Sequence, residues 1–408
     1  MATTTVDEVV ARATALTDVT DPEPPHFLEN LTAVVDHMNH EAELTEEGLQ
    51  GILAQLAPAL RNRMEVDAYV AEHPEVDASP IGRPIFLTGL PRSGTTYFQY
   101  LFDLDPRLRM FRTWEGERPV PPPALDPESA ERRRAVSLEN ARLMREATGG
   151  KIDAFHLTDV DGPQECLAIL DQTFVNPGLL WTMSVFGYLE YLLHEADLRE
   201  AYEYHARVLR LLQQGAPERR WALKWPCHLL ALDAIAEVHP EARFVVTHRD
   251  PVQALASNCS LTKMLREGTS PHADPDHIGR DMLELVSQHV DRLVAFDIEE
   301  EKRGSSRLVH VDYYRLVDAP ETLMPEVFAA VDLEWTAEVD ERVRAWREAN
   351  PKGKRGTHEY RLDDYGLTRE AVVEAFADYT ERFEIPSEDA SRLTHEPESR
   401  IGRAGEKT

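Results

Sequence analysis

Between Gly89 and Thr96 the chain reads Gly-Leu-Pro-Arg-Ser-Gly-Thr-Thr, a run whose residue types suit a small oxyanion. Gly89 and Gly94 let the backbone turn so that amide N–H groups point inward. A helix opening at Thr95 adds partial positive charge, and Arg92 adds a full one. The spacing is that of the phosphate loop GxxxxGK[ST], with Thr95 where the pattern has lysine. That lysine reaches the outer phosphates of a nucleoside triphosphate, so its loss points to a smaller anion. Two more cations stand where strands end. Lys224 closes Trp221-Ala222-Leu223-Lys224, and Arg249 follows Arg243-Phe244-Val245-Val246-Thr247-His248. Lysine on a buried strand rarely lacks a task.

The elements that must position these groups alternate. Ile85-Phe86-Leu87 is a short apolar run of strand type, followed by helical spacing at Tyr97, Tyr100, Leu101 and Leu104. Leu108–Trp114, Trp221–Lys224, Arg243–Arg249 and Leu308–Tyr314 read as further strands, with helical patterns at 229–238, 278–300 and 320–350. Asp250 caps the helix whose first position is Pro251. Strands alternating with helices, and an anion loop after the first strand, predict an α/β fold with a central parallel sheet flanked by helices. Residues 1–80 form an N-terminal arm and helical cap, 81–393 the α/β domain, and 394–408 a polar tail. Residues 1–25 read as a loose arm ending in prolines, and Phe27 to about Ala71 as helices that pack on the main domain or pair subunits into a homodimer. Residues 128–148 read as a solvated amphipathic helix.

Pro91-Arg92-Ser93-Gly94-Thr95-Thr96 resembles the 5′-phosphosulfate loop of sulfotransferases that use 3′-phosphoadenosine 5′-phosphosulfate (PAPS), in its bacterial form. Three more segments resemble that family's motifs in the same order, and the likeness spans roughly residues 82 to 370. Arg249 with Ser257 resembles the arginine and serine that grip the 3′-phosphate, Arg249 by its planar donor fork. Tyr313-Tyr314-Arg315-Leu316 resembles the segment whose tyrosine, here Tyr313, lies by the adenine, although the two acids of that pattern are absent. Lys352-Gly353-Lys354-Arg355-Gly356 resembles the loop that closes over the nucleotide, with Pro351 replacing the arginine that often precedes it. Leu223-Lys224-Trp225-Pro226 resembles the strand end whose lysine neutralises the sulfuryl group and the leaving oxygen.

The resemblance implies a P-loop-like sulfotransferase fold and in-line transfer from PAPS to a hydroxyl, leaving adenosine 3′,5′-bisphosphate and needing no metal. Lys224 and Arg92, with the amides of Ser93, Gly94, Thr95 and Thr96, are the donors expected to meet the developing charge. A general base must take the acceptor's proton. The histidine expected two residues after the lysine is replaced by Pro226, which leaves Glu165, His228 and Glu115 as candidates in that order. The aromatic stretch with Trp181, Phe186, Tyr188 and Tyr191 fits core packing and also the wall of a pocket for a small or lipophilic acceptor.

Bulk properties narrow the partners. Forty-four Lys and Arg face 73 Asp and Glu, a formal charge of −29, which disfavours nucleic acid and other polyanionic acceptors. Cys166, Cys227 and Cys259 have neither disulfide nor zinc spacing, as expected in a reducing compartment. The first residues lack a basic stretch followed by an apolar core, and Ala168–Leu193 is too interrupted by polar residues to span a bilayer, so a cytoplasmic protein is expected. Two other readings compete. A P-loop kinase or nucleotide triphosphatase would need a loop lysine and a strand-end acid, for which Asp312 is the candidate; a non-catalytic nucleotide-binding protein would lack a working base.

Overall fold

The computed structural model describes residues 1–19, 26–147, 159–350 and 361–388. The chain divides into two compact units. One comprises 1–81, 110–219 and 261–274; the other comprises 82–109, 220–260 and 275–408.

The second unit holds a five-stranded parallel sheet: β1 (Ile85–Gly89), β2 (Leu108–Arg109), β3 (Arg220–Lys224), β4 (Arg243–His248) and β5 (Leu308–Asp312). Their order across the sheet is β2-β3-β1-β4-β5, with every pairing parallel. Every residue of β1 is buried, which is why its sequence is a continuous apolar run and not an alternating one. Its neighbours lie in register as Leu87 with Lys224 and Gly89 with Thr247. Because β3 lies on one side of β1 and β4 on the other, their connections diverge and open a crevice at the strands' C-terminal ends.

Helices seal the sheet. Thr95–Asp103 buries Phe98, Leu101 and Phe102, and the Phe102 ring lies 5.0 Å from Phe328. Pro275–Lys302 buries Ile278, Met282, Leu285, Val286, His289, Val290, Leu293 and Phe296, one stripe at helical spacing. Phe296 meets Phe244 of β4 edge-on at 5.5 Å. The second predicted strand is shorter than Leu108–Trp114: pairing ends at Arg109, and Thr113–Glu117 is helical.

The other unit is helical. Residues 1–25 are not simply a loose arm, because Val6–Thr14 forms a helix capped by the Thr5 side chain. Val9 and Ala13 are fully buried, and the helix packs on the longer helix Glu46–Glu72. The signal was present in Thr5, in Asp7 and Glu8 of the first turn, and in the spacing of Val6, Val9, Val10 and Ala13. Tyr188 and Trp181 are buried; the Tyr188 hydroxyl donates to the Phe174 carbonyl at 2.6 Å, and that of Tyr191 to Asn30 at 2.5 Å. These bonds give the aromatic stretch a packing role within this unit. All three cysteines are buried, and none is in a disulfide. No helix among the described residues is long and apolar enough to cross a membrane.

Candidate active site

The loop between β1 and the helix Thr95–Asp103 is held open by backbone geometry. Gly89 and Gly94 have φ of 145° and 82°, and Arg92 itself adopts a left-handed φ of 68°. A Cβ on Gly89 would stand 2.3 Å from the Thr247 hydroxyl, and one on Gly94 would stand 2.9 Å from the Tyr313 ring. Glycine is therefore required at both places by close approach as well as by φ. Gly94 caps the helix without a side-chain hydrogen bond, so the first amides are left to a ligand or water.

Ser93 does something the sequence did not reveal. Its hydroxyl is fully buried, 2.7 Å from the Leu90 carbonyl and 2.7 Å from the Thr247 hydroxyl. Each hydroxyl has one proton, so a consistent chain runs from Thr247 to Ser93 to the Leu90 carbonyl. The side chain thus braces the loop against β4, and the Ser93 amide donates to the same Leu90 carbonyl at 3.1 Å, so both of its donors are engaged within the fold. Thr247 was not anticipated, because it lies in an apolar strand and gives no local signal.

Four of the sequence candidates converge on this loop. Arg92 Nε donates to the Ser257 hydroxyl at 3.1 Å, and Arg249 Nη1 donates to the Arg92 carbonyl at 2.7 Å. The Arg249 guanidinium lies 4.5 Å over the Tyr313 ring, the same ring that faces Gly94. Tyr313 is thus wedged between the loop and Arg249. Lys224, only 1% exposed, donates from Nζ to the Thr96 hydroxyl at 3.1 Å and so ties the end of β3 to the helix start. Thr95 is buried and Thr96 exposed. Arg249 has a further partner without any local signal in the chain: Glu388 Oε1 accepts from its Nε at 2.9 Å and its Nη2 at 2.7 Å.

The candidate bases differ in setting. His228 is fully buried in the turn after β3, its ring edge-on to Phe86 at 5.0 Å. Such a setting suits packing better than contact with an acceptor. Glu115 and Glu165 both belong to the helical unit. Glu115 Oε2 accepts from the Arg112 amide at 2.7 Å and so caps the start of the short helix Thr113–Glu117. Glu165 is half-buried just before the short helix Leu167–Leu170. An antiparallel bridge of Arg112 with Pro163 and the bond from Gln164 N to the Phe111 carbonyl set the two glutamates on adjoining turns. Lys352, Gly353, Lys354, Arg355 and Gly356 lie outside the described residues.

Asp312, the strand-end acid a triphosphatase would use, accepts from the Tyr314 and Arg315 amides as a helix cap. Among the described residues, no group of three or more His, Cys, Asp or Glu side chains could hold a metal ion. The donor set is cationic and amide-rich, with Lys224 at the helix start on Thr96 and with Arg92, Arg249 and Ser257 linked to one another beside the loop. The profile of the Sulfotransferase family matches residues 84–337, most of the chain and all five strands. The chain belongs to the sulfotransferase family.

Two solved sulfotransferases resemble it over nearly their whole length. STF9 from Mycobacterium avium is 33% identical, with 94% of this chain and 97% of that chain covered and a TM-score of 0.86. STF1 from Mycobacterium tuberculosis H37Rv is 31% identical, with 92% and 98% covered and a TM-score of 0.81. No curated protein matches the sequence. Membership in the sulfotransferase family agrees with a loop lacking the triphosphate-binding lysine, and the chain has the enzyme class and α/β fold that its motifs implied.

Proposed function

We propose that this sulfotransferase takes its sulfuryl group from PAPS and passes it to a hydroxyl of a small or lipophilic acceptor. The observation that carries this reading is the meeting of two anion seats at Arg92. Its side chain reaches Ser257, and its carbonyl accepts from Arg249. A nucleotide bearing anions at both the 5′ and 3′ positions uses both seats, whereas a nucleoside triphosphate concentrates its charge at one. In this reading the amides of Gly94, Thr95 and Thr96 receive the 5′ end, Ser93 shapes the loop through its bonds to the Leu90 carbonyl, and Arg249 with Ser257 receives the 3′-phosphate. Tyr313 borders the adenine, and the loop Lys352, Gly353, Lys354, Arg355 and Gly356 closes over the nucleotide.

The bound donor supplies an activated sulfuryl group on a good leaving group. The protein's part is electrostatic. Lys224 holds its ammonium at the helix start, where it is placed to meet charge growing on the bridging oxygen, and Arg92 assists from the loop. Because Lys224 is buried, water screens little of the attraction between its ammonium and an anion beside it. Glu165 is the favoured base, because His228 is enclosed and the Glu115 carboxylate is already committed to a cap.

A labelled-sulfate transfer assay with an acceptor panel tests the proposal. Lys224→Ala is expected to lower transfer by about 100-fold or more, with only a small change in affinity for adenosine 3′,5′-bisphosphate. Glu165→Gln is expected to lose transfer while His228→Ala, if folded, retains it. Transfer at the wild-type rate by Lys224→Ala would overturn the mechanism. Activity that depends on magnesium and a nucleoside triphosphate would favour the kinase reading.

A further inference from the structure

Glu388 lies far from the loop in sequence, yet its carboxylate takes two hydrogen bonds from the Arg249 guanidinium, at 2.9 and 2.7 Å. These are the charge-assisted contacts that a phosphate oxygen would otherwise make. The pair is largely shielded, with side-chain exposures of 18% and 20%. The Glu388 amide also donates to Asp250 Oδ2 at 2.8 Å, so backbone and side chain are both held at the end of β4.

The segment carrying Glu388 has its own anchors. In the helix Ala377–Arg382, the Tyr379 hydroxyl lies 3.1 Å from His248 Nδ1, and Arg382 Nε donates to Asp297 at 2.7 Å. His248 continues the connection through His310 at 2.9 Å, and His310 reaches Asp297 at 3.1 Å. Buried Phe376 and Tyr379 secure the same stretch. The Glu388 carboxylate is therefore not needed to hold the segment. What it does contact is the guanidinium assigned above to the 3′-phosphate.

We infer that Glu388 is an internal competitor for the 3′-phosphate seat, a residue that sets how tightly the enzyme holds its nucleotide. The inference rests on the reading that Arg249 binds the 3′-phosphate. In the nucleotide-free protein the carboxylate neutralises Arg249 and keeps it seated over Tyr313. An incoming 3′-phosphate must displace the carboxylate from the guanidinium. The product adenosine 3′,5′-bisphosphate keeps that same phosphate, so the returning carboxylate weakens product retention and favours turnover. A nucleotide with only a 5′-phosphate does not call on this seat and is indifferent to Glu388.

Calorimetric titration of the full-length protein with adenosine 3′,5′-bisphosphate and with adenosine 5′-phosphate separates the outcomes. For Glu388→Gln, binding of the bisphosphate is expected to tighten by about tenfold, with the monophosphate unchanged. Inhibition of transfer by added bisphosphate should strengthen by a similar factor. Glu388→Ala gives a second variant, and thermal melting verifies that both are folded. In an Arg249→Ala background the Glu388 effect should vanish, the signature of direct coupling. Bisphosphate affinity that stays the same or weakens in Glu388→Gln and Glu388→Ala would overturn the inference, since the carboxylate would then only position Arg249. If Arg249→Ala binds the bisphosphate as tightly as the wild type, the 3′ seat itself is misassigned, and that failure is distinct from a silent Glu388.

Discussion

Gly94 shows how much of the site depends on a missing side chain. Its φ of 82° disfavours any L side chain, and a Cβ would press on Tyr313 at 2.9 Å. Tyr313 in turn lies under Arg249. Gly94→Ala is expected to cost about 1–3 kcal/mol of stability, measured by chemical denaturation, and to weaken binding of adenosine 3′,5′-bisphosphate. A variant with unchanged affinity would mean that Tyr313 and Arg249 do not take their positions from the loop. Both glycines were legible in the sequence as turn formers. The aromatic ring that makes Gly94 obligatory comes from the end of β5 and was not legible there as its neighbour.

At the scale of elements, the loop and the strands brace one another through side chains of opposite visibility. Thr88 Oγ1 donates to the Pro226 carbonyl at 2.9 Å, and the Thr247 hydroxyl bonds that of Ser93 at 2.7 Å, so β1, β3 and β4 are cross-tied at the loop. Thr247→Val keeps the shape but removes the hydroxyl, leaving the buried Ser93 oxygen with one partner fewer. The expected loss is about 1 kcal/mol, read from a shift in the denaturation midpoint. A parallel contrast separates the two glutamates. The Glu115 carboxylate satisfies the Arg112 amide at the start of Thr113–Glu117, so Glu115→Ala should lose about 1 kcal/mol of stability. Glu165→Gln should leave stability nearly intact and show its effect in transfer. If Glu115→Ala melts as the wild type does, the cap contributes nothing and Glu115 regains standing as a base. The Asp250 cap could be read from the chain because its partner, the Val252 amide, lies two residues on. The Ser93–Thr247 tie could not, because its partners are 154 residues apart.

For the whole molecule, stability against pH is set by buried groups outside the proposed site. Burial pushes the Asp171 carboxyl up to about 7, against the opposing pull of the hydrogen bond from Asn176. At this one carboxyl the folded state holds a proton between about pH 4 and 7 that the unfolded chain has lost, so its contribution to stability falls as pH rises through that window. Burial lowers His289 to about 4 and holds His248 well below its usual value, with His310 adding to the shift. For these histidines the folded state binds fewer protons, so stability falls as pH drops below about 6.5. Asp171→Asn should remove the first dependence and leave the second. Its denaturation free energy should exceed that of the wild type by about 1–2 kcal/mol at pH 8 and approach it near pH 4. A difference between Asp171→Asn and the wild type that stays constant from pH 4 to 8 would mean that Asp171 does not carry this dependence.

Fold class, the order of the strands along the chain and the anion loop are legible in the chain, because each is written in local period, turn chemistry and spacing. Arg92, Lys224, Arg249, Ser257 and Tyr313 stand out there as residues of interest. That Ser93 braces the loop through its side chain, that His228 is enclosed against Phe86, and that Asp312 is spent as a helix cap emerge with the folded chain. Folding alone brings these partners together. It alone set Glu388 on Arg249. The physical reason is that a hydrogen bond or ring contact depends on distance in space, and parallel strands joined by long crossovers bring together residues that no sequence window contains. The loop between Gly89 and Gly94 belongs to both accounts: the chain encodes its turn, and β3, β4 and β5 supply the lysine, the arginine and the tyrosine around it.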